Sequence, residues 1–240
     1  MADIEEFAVN LDEITNPLLS AHPGDILVLS PEQQRVGEQL IYSVTRIPQF
    51  HVSMEMNASA ILAKINQWAE ETRPSFTTFL LQGVGKTLEA FPIFNATFVA
   101  EDSIKLHPHV HLAVAIDTPA GLQLPVVLDV TGQTILHIDQ ELKRLTHKAQ
   151  NGELSPHDTE GATFTVFNLG MFGIAEFSAI INPPQLATLA AGAISYRLIM
   201  TGNRIINLPF FTLKLIADHR VIDAAMAAKF LRKLKEILEE

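Results

Sequence analysis

The chain has 240 residues, 48% of them hydrophobic, which is enough for one large domain with a substantial core and needs no division into two. Seventeen basic against 27 acidic residues give a formal charge of −10 with no basic stripe, which argues against a nucleic-acid backbone or an anionic membrane surface as the main partner. With no cysteine there is no disulfide or thiolate metal site, and with neither a basic-then-apolar leader nor 18 consecutive apolar residues the expectation is a cytosolic chain without signal peptide or membrane span.

Residues 1–23 are acidic and lack a strong period, so they read as a terminal arm, with the folded domain expected over 24–240. A short strand is expected over 25–30. Ser30-Pro31-Glu32-Gln33 then has a capping serine and a proline at the first helical position, predicting a helix to about Thr45 with Val36, Leu40 and Ile41 facing inward. Val52, Met54 and Met56 alternate with polar residues as a half-buried strand. A helix over 57–71 is capped by Asn57 and buries Ile61, Ile65 and Trp68, and another follows over 75–90. Within it, Gly83-Val84-Gly85-Lys86-Thr87 imitates a phosphate loop, but the further glycine that loop requires falls on Leu80, and no strand precedes it.

A strand is expected over 94–99. His107, His109 and His111 alternate, which places three imidazoles on one face of a strand about 7 Å apart, too far to converge on one metal ion; a solvated face is the better reading. Val110, Leu112, Val114 and Ile116 pack inward, residues 119–122 turn, and 124–130 return. Residues 134–150 form an amphipathic helix with Ile135, Ile138, Leu142 and Leu145 inward, and a polar loop over 151–160 follows. An apolar strand spans 187–196, and a hairpin turn at Thr201-Gly202-Asn203 leads into the last strand, which runs to His219. Leu213, Leu215 and Ala217 share a face of that strand. Beyond the turn Ile222, Ala225, Met226, Phe230, Leu234 and Ile237 recur at helical spacing. An imidazole held between two rigid elements, four residues before the carboxylate of Asp223, is placed as a general base; a histidine simply satisfied at a strand end fits as well.

The block Asp218-His219-Arg220-Val221-Ile222-Asp223 resembles the His-x-x-x-Asp-Gly motif of the dihydrolipoamide acyltransferases, the core subunits of 2-oxo acid dehydrogenase complexes, to which chloramphenicol acetyltransferase is related. Residues 163–174, 180–185, 47–50, 94–98 and 118–125 resemble further blocks of that family, in its order and at roughly its spacing. The resemblance implies an α/β two-layer sandwich, a mixed β-sheet backed by helices as in chloramphenicol acetyltransferase, assembled as a homotrimer or a cage of trimers. It also implies that His219 takes the proton from a thiol of coenzyme A or of a dihydrolipoyl arm. A serine hydroxyl from the neighbouring subunit would then stabilise the tetrahedral oxyanion, so that a site forms only between subunits. The family's lipoyl and partner-binding modules have no counterpart in the sequence, so the lipoyl group is expected in trans, on a lipoyl carrier or another dehydrogenase-complex subunit.

The family's serine falls on Phe167, which shares its strand face with Thr163 and Thr165 and is the one large apolar group there. Thr165 lies about 7 Å along the strand and Asn168 points to the opposite face, so neither replaces the donor simply. Phe167, Asn168, Gly170 and Thr165 are expected to line the site, with His219 as base and Asp223 organising it. Ala224 stands where the motif has glycine, and Gln33, Gln34 and Leu128 stand where the family carries basic residues. Three readings are open: coenzyme A-dependent acyl transfer, a catalytically silent scaffold subunit, and acyl transfer to a different small acceptor packed on Phe167.

Overall fold

The computed structural model describes residues 21–119 and 121–240. Most of the acidic arm, and Ala120 of the turn expected over 119–122, lie outside them. In chain order the elements are α1 (Pro31–Arg46), β1 (Gln49–Asn57), α2 (Ser59–Ile65), α3 (Phe76–Ala90), β2 (Ala96–Ala100), β3 (Ser103–Leu106), β4 (Leu112–Val114), β5 (Val126–Val127), α4 (Ile135–Gln150), α5 (Pro156–Thr159), β6 (Phe164–Asn168), β7 (Ala187–Ala191), β8 (Ser195–Thr201), β9 (Arg204–Asp218) and α6 (Ala224–Glu239). The helices start where their sequences offer an oxygen to the first free N–H groups. The side chains of Ser30, Ser75, Thr134 and Asp223 accept from Gln33, Thr78, His137 and Met226, and Ser30 with Gln33 completes a capping box.

One mixed sheet runs in the order β1-β9-β7-β6-β4-β5, with β8 on the free half of β9, while β2 and β3 form a separate hairpin. β4, β6 and β7 are parallel and the other pairs antiparallel. Register puts Val52, Leu215, Leu189, Val166 and Val114 in one row across five strands, and this row joins the main core beneath α2, α3, α4 and α6. The adjacent row, Ser53, Lys214, Ala190 and Phe167, faces the other way. A smaller cluster of Ile47, Ile181, Ala190 and Ile216 packs on that second face. The two-layer α/β arrangement agrees with expectation, and no helix of the described residues is long and apolar enough to cross a membrane.

Several expectations are corrected. Residues 25–30 form no strand; Ile26 and Val28 are 92% and 90% exposed, because a two-residue alternation yields a strand only where a sheet edge accepts it. Helix α1 forms as predicted but turns Val36, Leu40 and Ile41 outward, touching the body instead through Ser43, whose hydroxyl donates to the Ile181 carbonyl at 2.6 Å. Helix α2 stops at Ile65, and Asn57 accepts from the Ser59 N–H one residue before the cap position, Ala58. The strand expected over 187–196 breaks at Gly192, where a Cβ would stand 1.9 Å from the Ala175 carbonyl oxygen, so β7 and β8 pair with different halves of β9. Ala225 of α6 is exposed, whereas Ala227, Leu231 and Leu238, not singled out from the periodicity, are buried. Gly83 and Gly85 lie inside α3 against Leu238 and Val130, which explains the glycines by packing and leaves no phosphate loop.

Asp158, at the start of α5, is buried and holds Arg144 at 2.9 Å and Lys148 at 2.9 Å. The Ser155 hydroxyl first, then the Lys148 ammonium, keep its carboxyl well below the usual carboxylate range. A depressed folded-state value contributes stability above the unfolded value near about 4, and that contribution is lost as the pH falls toward the folded value. Asp158→Asn is therefore expected to cost about 2 kcal/mol at pH 7 and somewhat less at pH 3, where the folded carboxyl is still ionised but the unfolded one is largely protonated, read from urea midpoints at the two pH values. An equal cost at both would show that the carboxylate charge is not what Asp158 contributes.

Candidate active site

His219 follows the last residue of β9, and the turn that carries it is pinned from both sides. Its backbone N–H donates to the Pro48 carbonyl at 3.0 Å, and its ring lies 4.5 Å from the Phe50 ring centroid. The fully buried Asp218 accepts from the backbone N–H of Arg220 at 3.0 Å and from its guanidinium at 3.0 and 2.6 Å, while the guanidinium sits 4.2 Å above the Phe98 ring. The imidazole itself is exposed. A base needs this combination: a fixed backbone and a ring that a thiol can reach.

The Asp218–Arg220 clamp escaped the sequence reading, although an acid and a base flanking the histidine were its visible signal. Asp223, expected to orient or organise the site, accepts with its Oδ1 from the Met226 N–H at 2.7 Å and so begins α6. The four-residue spacing is a helix start, and its effect on the histidine passes through the turn.

Strand β6 carries the other expected residues to a different place. Thr165 is fully buried and donates to Gln185 Oε1 at 2.7 Å, so it is structural and lines nothing. Phe167 is half-buried on the face away from the helices. Asn168 donates to the Thr77 hydroxyl at 3.0 Å and accepts from the Gly170 N–H at 2.9 Å, shaping the turn after β6. Asn168 opens onto a cleft of about 660 Å³ walled by Val114, Ile116, Leu142 and Phe172, with Lys143 and His147 on its α4 side.

Register measures the gap between the two halves. Phe167 lies opposite Ala190 and Ala190 opposite Lys214, two strands across, and His219 is five residues further along the chain. At about 4.8 Å per strand and 3.3 Å per residue the separation is on the order of 20 Å. One chain cannot bring His219 and residue 167 to the same reacting atom.

The three histidines of 107–111 are not on a strand. His107 bonds the Thr97 hydroxyl at 2.8 Å, His109 faces Asp129 at 3.3 Å, and His111 accepts from the Asp129 N–H at 2.9 Å. Burial first, and neighbouring positive charge after it, pushes His107 below the ordinary imidazole value; burial first also lowers His111. Among the described residues no group of three or more histidine, aspartate or glutamate side chains is placed to hold a metal.

The model of the 2-oxoacid dehydrogenases acyltransferase (catalytic domain) family matches residues 23–240. The chain is 33% identical to the dihydrolipoyllysine-residue acetyltransferase component of the Rickettsia felis pyruvate dehydrogenase complex, over 94% of this chain and 57% of that protein. A probable dihydrolipoamide acetyltransferase from Listeria monocytogenes superposes with a TM-score of 0.86 at 29% identity, covering 91% of this chain and 96% of that one. The Azotobacter vinelandii dihydrolipoamide acetyltransferase superposes at 0.85 and 26%, covering 90% and 91%; there the roles of one serine, one histidine and one asparagine in catalysis were investigated. Chloramphenicol acetyltransferase, at 13% identity and a TM-score of 0.55, shares the fold alone. From residue 23 to its end, the chain belongs to the 2-oxoacid dehydrogenase acyltransferase (catalytic domain) family.

Proposed function

We propose that the domain over 24–240, behind an acidic arm over 1–23, transfers acyl groups between the thiols of coenzyme A and a dihydrolipoyl arm, with His219 as general base. The observation that carries this is the fixed and exposed imidazole at the end of β9 in a chain of this family. A thiol is largely protonated near pH 7, so a base that removes its proton as it attacks lowers the barrier. In the Azotobacter enzyme the serine stands 52 positions before the histidine and the asparagine four after it. The same offsets from His219 reach Phe167 and Asp223.

The 20 Å gap requires each site to draw on two subunits, which supports a homotrimer or a cage of trimers. The lipoyl group would arrive in trans on a carrier or another subunit of a dehydrogenase complex. For coenzyme A, the cleft beside Asn168 is of a size for a pantetheine arm, with apolar walls and polar side chains at one side. Lys143 is ion-paired to the buried Asp139 at 2.7 Å yet 59% exposed, so its ammonium is held at the rim where a phosphate would lie. Lys143→Glu is expected to weaken coenzyme A binding about tenfold by calorimetry while leaving kcat within twofold, the mark of binding made equally in ground and transition states. Unchanged affinity would move coenzyme A out of this cleft.

The reading is tested by acetyl transfer from acetyl coenzyme A to free dihydrolipoamide. The assembled chain is expected to be slow, for want of a donor at Phe167, but dependent on His219. Transfer that survives His219→Ala undiminished would sink it.

A further inference from the structure

The two halves of the site are unequally preserved. On the His219 side the base and the contacts that hold its turn are in place: the buried Asp218 clamp, the Pro48 carbonyl and the Phe50 ring. Among the described residues, the hydroxyls that share the sheet face of Phe167 on β6, just before it and on β7 are already engaged. Thr165 donates to Gln185, Thr163 to the His111 carbonyl and Thr188 to the Thr165 carbonyl, while the Asn168 amide donates to Thr77 on the opposite face of the strand.

The surface leading to His219 is also built for contact. Helix α1 presents Val36, Leu40, Ile41 and Val44 outward on one stripe, with Ile41 66% exposed, and ends at the Ile47-Pro48 step whose carbonyl holds the His219 backbone. Val44, at the end of the stripe, is four residues before Pro48, so the stripe runs up to the turn that carries the imidazole.

The geometry points to a histidine-donating subunit: His219 of this chain completes a site with a second acyltransferase domain of the same fold that carries a hydroxyl at the position of Phe167, seated against the α1 stripe. This rests on the acyl-transfer reading above and names its partner. In such a site His219 takes the proton of the incoming thiol as its sulfur bonds to the thioester carbonyl carbon. The oxyanion so formed accepts a hydrogen bond from the partner's hydroxyl. Collapse breaks the original carbon–sulfur bond, and the departing thiolate recovers the proton from His219. The reverse pairing, with Phe167 and a partner's histidine, lacks the donor.

The test uses the Phe167→Ser/His219→Ala double variant as the hydroxyl-bearing partner, refolded together with the parent chain and checked for mixed assemblies by native mass spectrometry. The double variant alone is expected to be silent and the parent alone slow, while mixed assemblies transfer acetyl groups on the order of 10²-fold faster than the parent. Mixed assemblies no faster than the parent, beside an active Phe167→Ser homomer, would overturn the pairing and leave the acyl-transfer reading standing. A Phe167→Ser homomer with no His219-dependent transfer would overturn both. Ile41→Lys with Val44→Lys in the parent chain is expected to abolish mixed assembly; full retention would remove α1 as the seat.

Discussion

Phe167→Ser is expected to raise kcat for acetyl transfer to dihydrolipoamide by 10² to 10³, about 2.7–4 kcal/mol, in the homomeric protein. The serine oxygen would stand on the sheet face now occupied by the phenyl ring, in the row with Ala190 and Lys214, without changing the strand that carries it. The gain belongs in kcat, because a donor aimed at the oxyanion acts on charge that the ground-state thioester does not yet carry. Loss of the half-buried ring is expected to cost about 1–2 kcal/mol of stability, so the faster variant should also be the less stable one. Phe167→Ala separates the two causes. It opens the same space without supplying a donor, and an alanine variant as fast as the serine variant would show that the ring obstructs rather than that a hydroxyl is missing.

How much of this was legible depends on whether a feature is local or relational. Caps are local, and Ser30, Ser75 and Thr134 begin their helices where the sequence places them. The strand delivering His219 was equally plain, since Leu213, Leu215 and Ala217 are buried on one face. The stripe on α1 is visible as periodicity, but periodicity says only that a face is apolar and not what covers it; here it turns away from its own core. The same holds for Ile26 and Val28, which alternate like a strand without an edge to join. Asp223 shows how one spacing fits two roles, since its carboxylate accepts from the Met226 N–H and starts α6 directly after the turn that carries the imidazole. The distance between His219 and Phe167 is wholly relational. It follows from the register of β6, β7 and β9, which no single stretch of sequence encodes.

His219→Ala, made in the Phe167→Ser background where the rate is high enough to follow its fall, is expected to lower kcat by 10² to 10⁴ while leaving the urea midpoint nearly unchanged. The imidazole is exposed and contributes mainly its contact with Phe50, so little stability leaves with it. Asp218→Ala provides the contrast. It removes a fully buried carboxylate from three hydrogen-bonding nitrogen atoms of Arg220, and is expected to cost roughly 3 kcal/mol of stability together with most of the rate, because the turn holding His219 loosens. A base and its support are thus told apart by two readouts, with rate alone falling for His219 and rate and stability falling together for Asp218. If His219→Ala instead lowered stability as far as Asp218→Ala while a slow rate persisted, the histidine would be one more part of the turn, and the proton would have to leave the thiol by another route.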